Sequence, residues 1–178
     1  MNIFYLDKDP KIAAQMHCDK HVVKMVLEYA QILSTAHRVL DGDEVADREG
    51  LYKIAHQNHP STAWARLGRG NYNWLSDLWG HLGIEYHHRY GKIHKSSTLD
   101  WLFYSPDNIP HKTFFIGLTS APNQCMPDEY KCNPNSASLE DVVSAYRAYY
   151  VGDKAYFAKW TKRAVPDWFK DFSQVATA

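Results

Sequence analysis

The sequence predicts a mainly α protein, and three observations carry that prediction. Residues 9–40 hold a helical pattern with no glycine and no proline after Pro10; residues 71–91 hold another, with Gly91 in a stop position; and Ser138 with Asp141 makes a capping box ahead of a third. At 178 residues the chain is long enough for a real core, and nothing in its composition divides it, so residues 1–178 are read as one compact helical domain.

The first helix is expected to be long and central. Asp9 is a good N-cap, Pro10 fits the first helical position, and Asp41-Gly42 is a natural stop. At about 100° per residue, His17, His21, Lys24, Glu28, Gln31 and Thr35 share an arc of roughly 80°. Ile12, Met16, Val22, Val23, Met25, Val26, Leu27, Ala30, Ile32, Leu33 and Val39 fill most of the remaining circumference. A helix apolar nearly all round is packed by neighbours on several sides, which predicts that the polar stripe lines a cleft. A plain solvated face is the other reading. His17, His21, Lys24 and Glu28 are the candidate catalytic residues, because such groups within one or two turns perturb one another. Asp19 falls on the apolar side with His37, so it is expected to hold a cap or an arginine.

The remaining elements follow in order. Residues 1–7 read as a short strand or an extended arm near the N-terminal end of the stripe, and residues 41–49 as an acidic loop. Ser61 is expected to cap a short helix that Gly68 and Gly70 end. In the helix over residues 71–91, Trp74, Leu75, Leu78, Trp79, Leu82 and Tyr86 oppose Asp77, His81, Glu85, His88 and Arg89. A short helix over residues 96–104 precedes Pro106, Pro110, Pro122, Pro127 and Pro134, which mark a long ordered loop with one short strand at residues 113–116. The last main helix runs from the capping box to a break at Gly152-Asp153, and a further helical piece reaches about residue 163.

Composition narrows the function. Formal net charge is zero, so any nucleic-acid contact must come from a local patch, and aromatics make 14% of the chain. Such a patch is expected near the C-terminus, where Tyr146, Arg147, Tyr150, Lys154, Lys159, Trp160, Lys162 and Arg163 interleave basic groups with rings that suit unpaired bases. The alternative is that these rings are core. Cys18, Cys125 and Cys132 form no CxxC pair, there is no secretory leader, and no apolar run approaches the ~20 residues of a membrane span, so a cytoplasmic, soluble protein is expected. No Walker loop, GxGxxG or GxSxG occurs, which leaves triphosphate hydrolysis, dinucleotide redox chemistry and the common serine-hydrolase arrangement without support.

Three chemistries stay open: acid–base or lyase chemistry on DNA, a metal site, and pure nucleotide binding. His17 and His21 stand at i, i+4, a spacing that can hold a metal, and Glu85 with His88 gives one Glu-x-x-His pair where helical di-metal bundles need two. The expectation is that no cofactor is required, with a divalent metal at His17 and His21 as the alternative.

Three segments resemble the pyrimidine-dimer DNA glycosylases of the bacteriophage endonuclease V type and related uncharacterised phage proteins. They are Ala13-Ala14-Gln15-Met16-His17; Pro60, then Asn71-Tyr72-Asn73-Trp74-Leu75 and residues 85–91; and Tyr146, Tyr149-Tyr150, Gly152, Lys154-Ala155 and Tyr156. The resemblance implies an all-α fold, DNA as partner, and a cleft on the first helix, with His17 matching the family's histidine. The family's first-helix glutamate has no clean match, since Lys24 stands near its place and Glu28 lies a turn later. The family's lyases use the amine of a threonine exposed by removal of the initiator methionine. Here Asn2 follows Met1, so Met1 is expected to be kept, and borohydride trapping to be weak and to survive Lys24→Ala. The function expected from residues and resemblance together is base excision on DNA, with a nucleotide-binding or nucleotide-cleaving protein as the alternative.

Overall fold

A computed structural model describes residues 1–110, 118–135 and 137–170. Its elements are helical: α1 (Pro10–Met16), α2 (Asp19–Leu40), α3 (Asp43–Arg48), α4 (Pro60–Ala65), α5 (Arg69–Tyr90) and α6 (Leu139–Lys154), joined by short 3-10 turns, with no strand among the described residues. The expected strand at residues 113–116 lies outside them.

The long first helix is in fact two. Asp9 caps α1 as expected, accepting from the amides of Lys11 at 2.8 Å and Ile12 at 3.3 Å. The helix stops at His17, whose backbone is extended (φ −61°, ψ 131°), and Cys18 is extended too (φ −69°, ψ 162°). No glycine or proline forces this break. Tertiary contacts do: the Asp19 amide donates to the Lys159 carbonyl at 2.7 Å, and the Asp19 carboxylate sits in the first turn of α2, where the helix dipole favours it.

Helices α2 and α5 form the centre and pack along each other, and α1 lies on α5. Helix α5 ends on Gly91 in the left-handed region (φ 66°), its amide closing on the His87 carbonyl at 2.8 Å. Helix α4 begins two residues earlier than expected in its capping, because the His59 ring, not the Ser61 hydroxyl, accepts from the Ser61 amide at 3.2 Å. The expected helix over residues 96–104 is two 3-10 turns, Lys95–Thr98 and Asp100–Phe103. The capping box of α6 forms as expected, with Ser138 and Asp141 satisfying each other's amides. Gly152 and Asp153 do not break α6, which continues to Lys154; the predicted helical piece beyond is one 3-10 turn, Ala155–Phe157, followed by irregular chain.

Residues 1–7 are the extended arm, not a strand. Ile3, Phe4, Tyr5 and Leu6 are buried, and the arm is fixed on one side by α2, where the Phe4 amide donates to the Tyr29 hydroxyl at 3.1 Å. On the other side α6 holds it, with the Arg147 guanidinium donating to the Leu6 carbonyl at 2.8 Å and the Tyr146 hydroxyl donating to the Asn2 side chain at 3.2 Å. The arm is thus a wedge that sets the spacing between α2 and α6. Among the described residues no helix is long and apolar enough to cross a membrane.

Candidate functional site

The break after α1 removes His17 from the stripe. Its ring is fully buried, Nδ1 lies 2.7 Å from the Ala13 carbonyl and Nε2 lies 2.9 Å from the Tyr29 hydroxyl. A carbonyl only accepts, so Nδ1 carries the proton and Nε2 accepts from Tyr29, whose oxygen in turn accepts the Phe4 amide. Burial lowers the His17 pKa to about 4, helped by the nearby Arg89 charge, so the ring is neutral. The expected catalytic histidine is a core residue. It also cannot ligate a metal beside His21 with both nitrogens engaged, and among the described residues no group of three or more His, Cys, Asp or Glu could hold an ion.

His21 differs. Its Nδ1 is hydrogen-bonded to the Tyr150 hydroxyl, which also receives the Cys18 amide. The Tyr150 oxygen can give its proton to Nδ1 or accept one from it, and Nε2 makes no hydrogen bond among the described residues. The ring stacks on Phe4 (centroids 4.2 Å, 20°) and meets the edge of Phe157 at 5.6 Å. Burial, then electrostatic coupling to the His17 ring and the positive charges of Lys154 and Lys24, push its pKa down to about 3. His21 is thus a neutral imidazole ringed by cations.

Lys24 and Glu28 stay on α2 as a surface ion pair 3.0 Å apart, with side chains 67% and 14% exposed. Glu28 also faces His59, whose pKa is lowered by burial and by the positive Met1 amine and His56, with Glu28 opposing. His59 and Met1, together with Asn123, Gln124, Cys125, Lys131 and Tyr149, line a polar cavity of about 680 Å³. Tyr149 joins this cavity to the histidine, since its ring lies parallel to Phe4 at 6.3 Å and Phe4 stacks on His21. The candidate groove is the His21, Lys24 and Glu28 face of α2 with the neighbouring α6 and the His59 turn; the cavity itself is lined by the His59 turn and Tyr149, not by His21, Lys24 or Glu28.

The groove carries unspent positive charge. The Lys154 amine sits 4.4 Å over the Tyr149 ring and the Lys20 amine 4.7 Å over Phe157. Neither has a carboxylate partner among the described residues, and Lys159 is exposed nearby in sequence. The C-terminal DNA-contact set is otherwise corrected. Tyr146 and Tyr150 are fully buried, and Trp160 is buried with its indole N–H on the Met16 carbonyl at 2.9 Å. Arg147 is spent on Leu6 and Asp7, and the Lys162 amine reaches the His88 carbonyl at 3.3 Å. Arg163 grips both oxygens of Glu85.

That last contact belongs to a closed network. Arg89, whose side chain is buried, donates to Glu85 at 2.7 Å, to Asp19 at 2.9 Å and to the Gln15 carbonyl at 3.0 Å, while the Thr161 amide and hydroxyl cap Asp19. Asp19 therefore holds an arginine, as expected. Burial would raise the Glu85 carboxyl, but the guanidiniums of Arg163 and Arg89 outweigh it and hold it below the usual carboxylate range. The polar face expected for Glu85 and Arg89 is buried instead. The groove residues that sequence reasoning missed are Phe4, Lys20, His59 and Lys131, and of these only Lys20 lies beside the stripe; Tyr149 and Phe157 belong to the C-terminal run of rings that the sequence marks for stacking.

Set against family models, curated proteins and solved structures, the chain matches none.

Proposed function

We propose that the chain is a base-excision enzyme that takes an unstacked base of DNA into the groove over α2. The observation that carries this reading is the coincidence of Lys20 and Lys154, without acidic partners among the described residues, with the rings of Phe157 and Tyr149 around a neutral histidine. Amines suit phosphates, flat rings suit an extruded base, and a neutral imidazole suits hydrogen bonding to a base edge. In the reaction the C1′–N bond breaks and its electron pair leaves with the base, whose carbonyl oxygen accepts a hydrogen bond from His21 carrying its proton on Nε2. The Glu28 carboxylate stabilises the oxocarbenium-like sugar and takes the proton of the water that adds at C1′. No metal and no amine nucleophile enters this sequence.

The test is formation of abasic sites, read as alkali-labile strand breaks, in ultraviolet-irradiated duplex DNA under single-turnover conditions, the damage the family resemblance suggests. Glu28→Gln is expected to slow abasic-site formation by about 100-fold or more while leaving duplex affinity within a few-fold. Duplex affinity should fall steeply between ~50 and ~200 mM salt. A cavity of about 680 Å³ would also take a free nucleotide, which is the second reading. Salt-independent duplex binding together with tight, saturable binding of a mononucleotide would replace base excision by that reading.

A further inference from the structure

A second cavity, remote in sequence from the groove, lies where the C-terminal end of α2 meets the chain after α5. It encloses about 350 Å³ and is lined by His37, Asp41, Val45, Trp101, Tyr104, Ser105, Asp107 and Asn108. Its donors and acceptors do not balance. The Tyr72 hydroxyl gives its proton to the Leu102 carbonyl at 3.1 Å, so both neighbours of His37 Nε2, the Tyr72 oxygen at 2.9 Å and the Tyr104 carbonyl at 3.1 Å, are acceptors. Nε2 therefore carries the ring proton, and Nδ1 presents a bare lone pair.

That lone pair is buried and has no hydrogen-bond partner among the described residues. The nearest group is the Asp41 carboxylate at 3.5 Å, another acceptor and too far for a good hydrogen bond. Burial lowers the His37 pKa more than Asp41 raises it, so protonation of His37 does not resolve the mismatch at neutral pH. Asp41 meanwhile is locked in place by the amides of Asp107 at 3.1 Å and Asn108 at 3.0 Å and by the Asn108 side chain at 3.2 Å. His37 Nδ1 thus faces another acceptor with no donor between them among the described residues. The described wall adds one more carboxylate, Asp107, no lysine or arginine, and a pair of rings, Trp101 and Tyr104, 5.7 Å apart.

We infer that this cavity is a binding site for a small organic ammonium group, whose N–H bonds reach His37 Nδ1 and Asp41 while its charge lies against Trp101. An ammonium supplies the missing donors and the missing positive charge together, and aromatic faces attract such cations when water is excluded. A metal ion would be the other cation, but among the described residues no set of three or more ligating side chains surrounds the space.

The same headgroup occurs on free amines and on lysine side chains, so calorimetric titration of the full chain uses three probes at matched ionic strength: butane-1,4-diamine, a Gly-Lys-Gly amide peptide, and potassium chloride. Saturable one-site binding of the diamine or the peptide is expected, and none of potassium. Tighter binding of the diamine would identify a free amine as the ligand, and tighter binding of the peptide a protein partner's lysine. Trp101→Leu should weaken the preferred amine about fivefold through loss of the ring face. Asp41→Asn should weaken it at least tenfold, with Asp107→Asn as a companion variant that leaves the loop's clamp on Asp41 in place and should weaken binding less. Absence of saturable amine binding by the folded wild type, or affinity unchanged in both Trp101→Leu and Asp41→Asn, overturns the site. Neither result bears on the groove over α2.

Discussion

Two clusters of charge flank the start of α2, and they are built on opposite principles. In one, Asp19, Glu85, Arg89 and Arg163 neutralise each other in the interior, and every guanidinium is directed at a carboxylate or a carbonyl. In the other, Lys20 and Lys154 rest on aromatic rings at the surface with no carboxylate partner among the described residues. The first cluster joins the end of α1, the start of α2, the last turns of α5 and the C-terminal chain. The second forms no ion pair among the described residues, and so has charge to offer a ligand. Charge content in sequence does not distinguish the two; only the partners do.

The largest effect should come from the closed cluster. Arg89→Ala takes one of two guanidiniums from the buried Glu85, removes the arginine from Asp19 and empties a buried site, and is expected to cost about 3–5 kcal/mol, read as a lower urea midpoint at unchanged slope. A loss below about 1 kcal/mol would show that the interior cluster is no more structural than the surface one.

Next comes the pair of histidines. His17→Ala leaves a cavity and unpairs the Ala13 carbonyl and Tyr29 hydroxyl, at a cost on the order of 2–4 kcal/mol. A histidine lining an open cleft could be removed with little change in melting temperature; the buried His17 cannot. The pH dependence sharpens it. The unfolded chain takes a proton on each histidine near ~6.5, whereas folded His17 resists until about 4 and His21 until about 3. Between those values the unfolded state binds more protons, so stability should fall as pH drops from ~6.5 toward 4, before the carboxylates titrate. Glu85 adds to the same direction lower down, since its depressed pKa gives stability that is lost as pH falls through it. Denaturation curves at pH 7, 6 and 5 that superimpose would contradict the burial of both rings.

The smallest effect on stability belongs to the open cluster. Lys20→Glu with Lys154→Glu should change folding free energy by no more than about 0.5 kcal/mol, yet lower the salt slope of duplex binding by about 2. A duplex affinity that ignores the double change would remove this patch from the interface.

The sequence revealed what local chemistry decides. The capping box of α6, the Gly91 stop of α5 and the Asp9 cap are written in neighbouring residues, and all three form. The break at His17 and Cys18 is not, because it is held by Lys159, Arg89 and Thr161 from far along the chain. The same limit applies to the groove. The 3.6-residue period brought His21, Lys24 and Glu28 to one face, but Phe4, His59 and Tyr149 arrive from three other segments. Glu85 and Arg89 looked like an ordinary i, i+4 surface pair because nothing local announces that Arg163 and Asp19 will close over them.

The wedge formed by the first residues has a consequence for how the molecule is made. Asn2 bonds to Tyr146 across 144 positions of chain, and Phe4 completes a stack whose other members are His21 and Tyr149. Contacts of such long separation close late, after the loop between them has been ordered. During synthesis the arm must wait for α6 to emerge and dock before it finds its seat, and until then α2, however helical, carries His21 without the stack of Phe4 and Tyr149 beside it.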